Sequence, residues 1–110
     1  MQLKPGIKLL SEVAGVGAVA EKGARVQVRL TGWLSKGEPI DQEPVSEFVV
    51  GSRILIPGIE YSVEGMRVGG IRKIRISPHL AYKDTGVPGI IPAGAVLTYE
   101  IELLGVEERA

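Results

Sequence analysis

The stretch ILIPGIEYSVEGM, residues 54–66, decides the fold because it interrupts a chain otherwise patterned for strands. Its apolar residues Ile56, Ile59, Val63 and Met66 recur at steps of three and four, which is the spacing of a helix that buries one side. Pro57 suits the first helical position, and Gly65 suits the end. A helix of about two turns is unstable alone. We therefore predict a short helix packed against a sheet.

The segments around this helix alternate with a period of two. In LTYEIELL, residues 97–104, Leu97, Tyr99, Ile101 and Leu103 share one face, so Tyr99 points inward. ARVQVRLTGWL, residues 24–34, alternates in the same way. Shorter strand candidates are IKLLSEV from Ile7, PID around Ile40 and VSEFVV from Val45. With 15 glycines and 7 prolines as punctuation, the sequence predicts an α+β fold, a twisted antiparallel sheet on one short helix.

The segment IRKIRI, residues 71–76, is also a strand candidate, but it carries a charge on its apolar face. Arg72 shares that face with Ile74 and Ile76. Either the face is wet at its N-terminal end or Arg72 has a carboxylate partner. We favour the wet end.

Composition limits the partners and the chemistry. The chain has 110 residues, a formal net charge of zero and no cysteine. One domain of this size folds alone, and zero net charge gives no general attraction to nucleic acid or to a membrane surface. The N-terminal MQLKPGIKLLSEV lacks the apolar core of a secretory signal. We expect a cytoplasmic monomer with no cofactor and no metal, since a lone histidine is a poor metal site.

A long connection between the last two strands, from Pro78 to about Val96, has no clear periodicity. Ordered loops of this length are uncommon unless they are functional. His79 follows Pro78 at the start of the loop, and we read it as solvated. The loop also contains TGVPGIIPAG, residues 85–94. Prolines and glycines bracket two adjacent isoleucines there, as if to hold apolar side chains in a fixed place.

Two polar residues have both a structural and a functional reading. Asp41 ends the PID segment between two prolines, and a turn-forming aspartate is the simpler explanation. Tyr82 likewise has a structural reading, in which its hydroxyl only anchors the long loop.

Several motifs resemble the FKBP-type peptidyl-prolyl isomerases, the immunophilins that bind tacrolimus and rapamycin. They are LTGWLSKGEPID (30–41), IPG (56–58), GMRVGG (65–70), ISPHLAY (76–82), GVPGIIPAGAVL (86–97) and YEIELL (99–104). The resemblance implies a five-stranded antiparallel sheet curled around one short helix. It gives a domain at 23–106, after an N-terminal strand and turn at 1–22 and before a charged tail at 107–110.

The resemblance also implies an apolar cleft between helix and sheet, with the long loop folded over one side. In this cleft Asp41 is the pocket carboxylate, and the Ile56 amide and the Tyr82 hydroxyl donate hydrogen bonds to substrate. The remaining substrate-binding residues it implies are Leu30, Ile40, Phe48, Leu55, Ile59, Val87, Ile90, Ile91 and Tyr99.

Four of these positions depart from the family pattern. Ile59 replaces the usual floor Trp, Leu30 a Tyr, Ile40 a Phe and Val87 a loop His. An aliphatic floor loses ring stacking, and Leu30 removes the hydroxyl that usually bonds to the aspartate, which would then lack a partner or turn to Arg72. The implied function is isomerisation of X–Pro bonds in peptides or unfolded proteins, with reduced turnover and weak macrolide binding. The alternative is a binding module for proline-containing or apolar segments with little catalysis.

Overall fold

The computed structural model describes residues 2–41, 45–83 and 85–107. The seven strands in this part of the chain are β1 (Gln2–Lys4), β2 (Ile7–Val13), β3 (Arg25–Leu34), β4 (Pro39–Asp41), β5 (Ser46–Val49), β6 (Ile71–Ile76) and β7 (Leu97–Glu107). One α-helix, α1 (Pro57–Val63), lies between β5 and β6, and a 3₁₀ turn, Pro78–Leu80, follows β6. No helix in the described ranges has the length and apolar content needed to span a membrane.

All strand pairs are antiparallel, and the sheet order is β1-β2-β6-β7-β3-β4, with β5 also paired to β3. The predicted fold class is confirmed, but the expected count of five strands is wrong. β5 pairs with residues 25–28 of β3 and β4 with residues 32–33, so the two occupy successive parts of one edge. Together β4 and β5 take the place of one interrupted edge strand. At the other edge of the sheet, β1 adds a strand of only three residues beside β2. If β4 and β5 count as one strand and the short β1 is left aside, the sheet has five main strand positions.

The predicted helix is present, and its first residue is Pro57 as expected. Ile59 and Val63 are buried, and Gly65, just beyond the helix, has a φ of 89°. Gly58 brings the helix close to the sheet, because a Cβ built there would lie 2.5 Å from the Ile76 Cγ2 atom. A glycine here lets the first turn of α1 rest directly on β6.

The core lies between α1 and the inner face of the sheet. Along β7, Leu97, Tyr99, Ile101 and Leu103 are all buried, which confirms the inward face predicted from the alternation. β3 runs beside β7 for its whole length and buries its own alternate residues. These two central strands give the site its rigid base.

Arg72 is not at a wet end, so the favoured reading was wrong. Its side chain is only 13% exposed, and its Nε donates to Glu12 Oε2 at 2.6 Å. Its Nη1 donates to the carbonyl of Ser62, in the last turn of α1, at 2.8 Å. Arg72 is thus tolerated on the apolar face because it has a carboxylate partner and also binds the negative end of the helix.

Candidate functional site

The strand pairing around Gly32 places Asp41 relative to Tyr99. Gly32 pairs with Asp41 on β4 and with Tyr99 on β7, so Asp41 and Tyr99 lie two strands apart in one register row. The Tyr99 ring covers Gly32, since a Cβ there would lie 2.6 Å from Tyr99 Cζ. The side chain of Asp41 lies outside the described part of the chain.

Ten of the predicted site residues belong to the hydrophobic core of the protein or pack against it, and we call these ten the apolar cluster. Five are buried in the core, namely Leu30, Phe48, Ile59, Ile91 and Tyr99. Five others are partly buried and pack against that core, namely Ile40, Leu55, Ile56, Tyr82 and Val87. Ile90 differs from both groups, because 59% of it is exposed.

Ile90 is exposed because of how the long loop turns. The N–H of Ile90 donates to the carbonyl of Val87 at 2.9 Å across Pro88 and Gly89, and Gly89 has a φ of 79°. Proline followed by a residue of positive φ is the signature of a type II turn. Val87 and Ile91 then exchange two hydrogen bonds of 2.8 Å each. The turn directs Ile91 into the core and leaves Ile90 at the tip.

Further backbone bonds join the base of this loop. The N–H of Gly86 donates to the Tyr82 carbonyl at 3.0 Å, and the N–H of Gly94 donates to the Lys83 carbonyl at 2.8 Å. The predicted solvated residue His79 is exposed, beside Gly6. The loop is therefore an ordered structure that holds Tyr82, Val87 and Ile91 against the core.

A second loop, residues 50–56, is organised by a residue that the sequence analysis missed. Glu60 is only 5% exposed, and its carboxylate accepts three backbone N–H groups. Oε1 accepts from Gly51 at 2.9 Å and from Arg53 at 3.2 Å, and Oε2 accepts from Leu55 at 2.9 Å. The signal was present in the sequence, because position 60 follows Ile56 by four and so falls on the inward face of the predicted helix.

A surface cavity of about 460 Å³ lies where this second loop meets α1. Its lining residues are Lys22, Gly51, Arg53, Leu55, Pro57, Glu60, Tyr61 and Glu64. Of the predicted site residues, only Leu55 lines it. Within the described ranges, no group of three or more His, Cys, Asp or Glu side chains could hold a metal ion.

Comparison with known proteins agrees with the fold. The sequence profile of the FKBP-type peptidyl-prolyl cis-trans isomerases matches residues 17–104. The chain belongs to this family, and isomerisation of X–Pro peptide bonds is the activity that membership supports.

Individual relatives point the same way. FK506-binding protein 1A of Neurospora crassa is 36% identical over 108 residues, which is 93% of this chain and 89% of the relative. The 39 kDa FK506-binding nuclear protein of Drosophila melanogaster is 35% identical, but the matched segment is only 29% of its length. A crystal structure of a peptidyl-prolyl cis-trans isomerase from Pseudomonas syringae pv. tomato superposes with a TM-score of 0.81 at 30% identity, covering 96% of this chain and 84% of that one.

Proposed function

We propose that this chain accelerates rotation about X–Pro bonds in peptides and folding proteins by binding them in the apolar cluster described above. The observation that supports the proposal is that ten of the predicted site residues belong to the hydrophobic core or pack against it, and that Leu55, Ile56, Tyr82 and Val87 from the two loops are only partly buried there. No covalent intermediate and no cofactor is needed for this chemistry.

Hydration of the amide carbonyl contributes to the barrier against rotation. The planar amide is resonance-stabilised, and rotation faces a barrier of roughly 18–20 kcal/mol. Water bound to the amide carbonyl stabilises the planar ground state more than the twisted transition state. An apolar site that removes this water lowers the barrier. An acceleration of about 10⁴ requires only about 5.4 kcal/mol of differential stabilisation.

Fixed donors replace part of the lost hydration. Ile56 precedes the first helical residue, and its N–H has no acceptor within the described residues. We assign this N–H, and the Tyr82 hydroxyl from the other loop, as donors to substrate carbonyls. Asp41 contributes a fixed negative field at the edge of the sheet and orients its neighbours without acting as a base.

Reduced turnover is part of the proposal. Ile59 is buried in the core, at the position where the family has the floor Trp, and Leu30 is buried where the family has a hydroxyl-bearing ring. Proline still finds an apolar surface, but ring stacking and one hydrogen bond are lost. We expect macrolides of the tacrolimus type to bind weakly for the same reason.

The second candidate is a binding module with little catalysis. Two exposed isoleucines favour it: Ile54 in the loop 50–56 is 71% exposed, and Ile90 at the tip of the long loop is 59% exposed. Such residues suit the capture of apolar or proline-containing segments of unfolded clients.

Proline-limited refolding of a model substrate protein tests the proposal. Wild type, Asp41→Ala and Tyr82→Phe are compared at equal concentration. Each has a matched control in an exposed residue outside the cluster, Glu38→Ala and Tyr61→Phe. We expect wild type to accelerate the slow phase, Asp41→Ala to lose about tenfold and Tyr82→Phe several-fold of that acceleration, and both controls to match wild type.

Peptide affinity, measured in parallel by titration, separates the two candidates. Binding without acceleration identifies the module, and acceleration at full family rates contradicts the reduced turnover. A cytoplasmic location, a monomeric state and the domain limits 23–106 stay predictions, to be tested by cell fractionation, by sedimentation and by limited proteolysis.

A further inference from the structure

Glu60 makes hydrogen bonds on both sides of the proposed donor, the Ile56 N–H. Its carboxylate Oε2 accepts the N–H of Leu55 at 2.9 Å, and its own backbone N–H donates to the carbonyl of Ile56 at 3.3 Å. The peptide unit that carries the Ile56 N–H therefore lies between two contacts made by one residue. We propose that Glu60 is a positioning residue that aims the Ile56 N–H at the substrate carbonyl, an inference that rests on the proposed function.

The rest of the loop needs this anchor as well. Oε1 accepts the N–H groups of Gly51 and Arg53, so alternate amides along the loop converge on one carboxylate. Arg53 has a φ of 66°, in the left-handed region that non-glycine residues rarely occupy. Strained residues persist only where their surroundings hold them. Residue 50 is held by backbone bonds to residues 23–24, and Ser52 donates to the Val49 carbonyl at 3.0 Å, but the amides of Gly51, Arg53 and Leu55 depend on a side chain of α1.

A carboxylate is specifically suited to this task. It has two acceptor oxygens and no donor, and three N–H groups face it. An amide of the same size has one acceptor and an NH₂ group, which would face an N–H donor whichever way it turned. The orientation that keeps the bonds to Gly51 and Arg53 gives up the bond to Leu55, next to Ile56. Glu60→Gln is therefore a near-isosteric variant that releases the proposed donor segment.

The test compares Glu60→Gln with Glu64→Gln in the proline-limited assay. Glu64 is the matched control because it is exposed, ends the same helix and lines the same cavity. We expect Glu60→Gln to lower kcat/KM about tenfold, as for one lost charge-assisted hydrogen bond, and Glu64→Gln to stay within about twofold of wild type. Amide NMR resonances of Gly51, Arg53 and Leu55 report directly whether the anchor is lost.

A combination with Ile56→Pro separates positioning from a general effect on structure. Ile56 already has a proline-like φ of −59°, so this change removes the N–H with little demand on its backbone angles. If Glu60 acts through that N–H, Glu60→Gln has no further effect on kcat/KM in the Ile56→Pro background. Where Glu60→Gln does not fold, Glu60→Asp takes its place, since it keeps both oxygens on a shorter side chain.

The possible outcomes are distinct. Altered loop resonances with unchanged kcat/KM, or effects that multiply in the double variant, overturn the inference and leave the proposed function standing. A wild-type protein that neither binds proline peptides nor accelerates their isomerisation overturns both. If Glu60→Gln lowers the activity of the wild type but does not lower the activity of Ile56→Pro any further, the result supports both the inference and the proposed function.

Discussion

The two loops beside the apolar cluster are held in different ways. The described residues of the long loop, 78–83 and 85–96, are stabilised by bonds within the loop itself, through the turn at Pro88 and Gly89 and the paired bonds between Val87 and Ile91. The loop 50–56 is instead held by the buried carboxylate of Glu60 on the following helix. The long loop is therefore stabilised mainly by hydrogen bonds between its own residues, while the loop 50–56 also depends on a side chain of the neighbouring helix.

This difference has consequences for how each loop tolerates change. A loop built from local turns contains several independent bonds, so one substitution weakens it in part. The loop 50–56 keeps the bond from the Ser52 N–H to the Val49 carbonyl, but it loses three bonds at once when the Glu60 side chain is removed. Perturbations at the two loops should therefore differ in size and in how far they spread.

The largest effect is expected for Glu60→Ala. It leaves three N–H groups without their acceptor and removes a buried side chain, so the free energy of unfolding should fall by about 3 kcal/mol. Denaturant unfolding measures this, and amide hydrogen exchange should show lost protection at residues 51–55 while residues 87 and 91 keep theirs. The control, Glu64→Ala, should change stability little. Uniform loss of protection in both loops would refute the contrast between them.

The next effect is at the turn of the long loop. Gly89→Ala places a side chain at a φ of 79°, although the space around it is open. The strain of the left-handed conformation should cost about 1 kcal/mol. Gly37→Ala, at a φ of 92° in open space between β3 and β4, is the matched control. Both should destabilise alike in thermal unfolding, but only Gly89→Ala should alter the isomerase rate.

A smaller effect is expected for Pro88→Ala. The turn retains its hydrogen bonds, and the main change is greater freedom of the unfolded chain, which costs about 0.5–1 kcal/mol. Equilibrium unfolding gives the size of the loss, and the amide protection of Ile91 should persist. Complete loss of that protection would mean that the proline, and not the backbone bonding, holds the loop.

The smallest effect involves an exposed carboxylate that contrasts with Glu60. Glu47 on β5 accepts hydrogen bonds from Gln27 and Arg25, which hold its pKa below the usual 4.5. Because the pKa is lower in the folded protein, the stabilisation is present above about pH 4.5. It is lost as the pH falls through the folded value. Unfolding of wild type and Glu47→Gln should differ slightly at pH 7 and converge at low pH, and a difference that grows on acidification would contradict this.

The site shows a similar division between local and distant information. The inward position of Tyr99 followed from the alternation of β7, and the helix followed from the spacing of Ile56, Ile59 and Val63. The environment of Arg72 did not follow from the local sequence, because Glu12 lies 60 residues away and the end of α1 comes close to Arg72 only in the folded chain. Whether a charge on an apolar face is solvated or paired depends on such distant groups.

The sequence by itself determined the alternation that builds the sheet, the start of α1 at Pro57 and the turn at Pro88 and Gly89, because these depend on side-chain period and on local backbone preference. Only the tertiary structure decided that β4 and β5 share one edge of β3 and that Glu60 receives three amides from the preceding loop. Hydrogen bonds between segments form only once packing has brought donor and acceptor together. For that reason the position of the Ile56 amide could be understood only from the folded molecule.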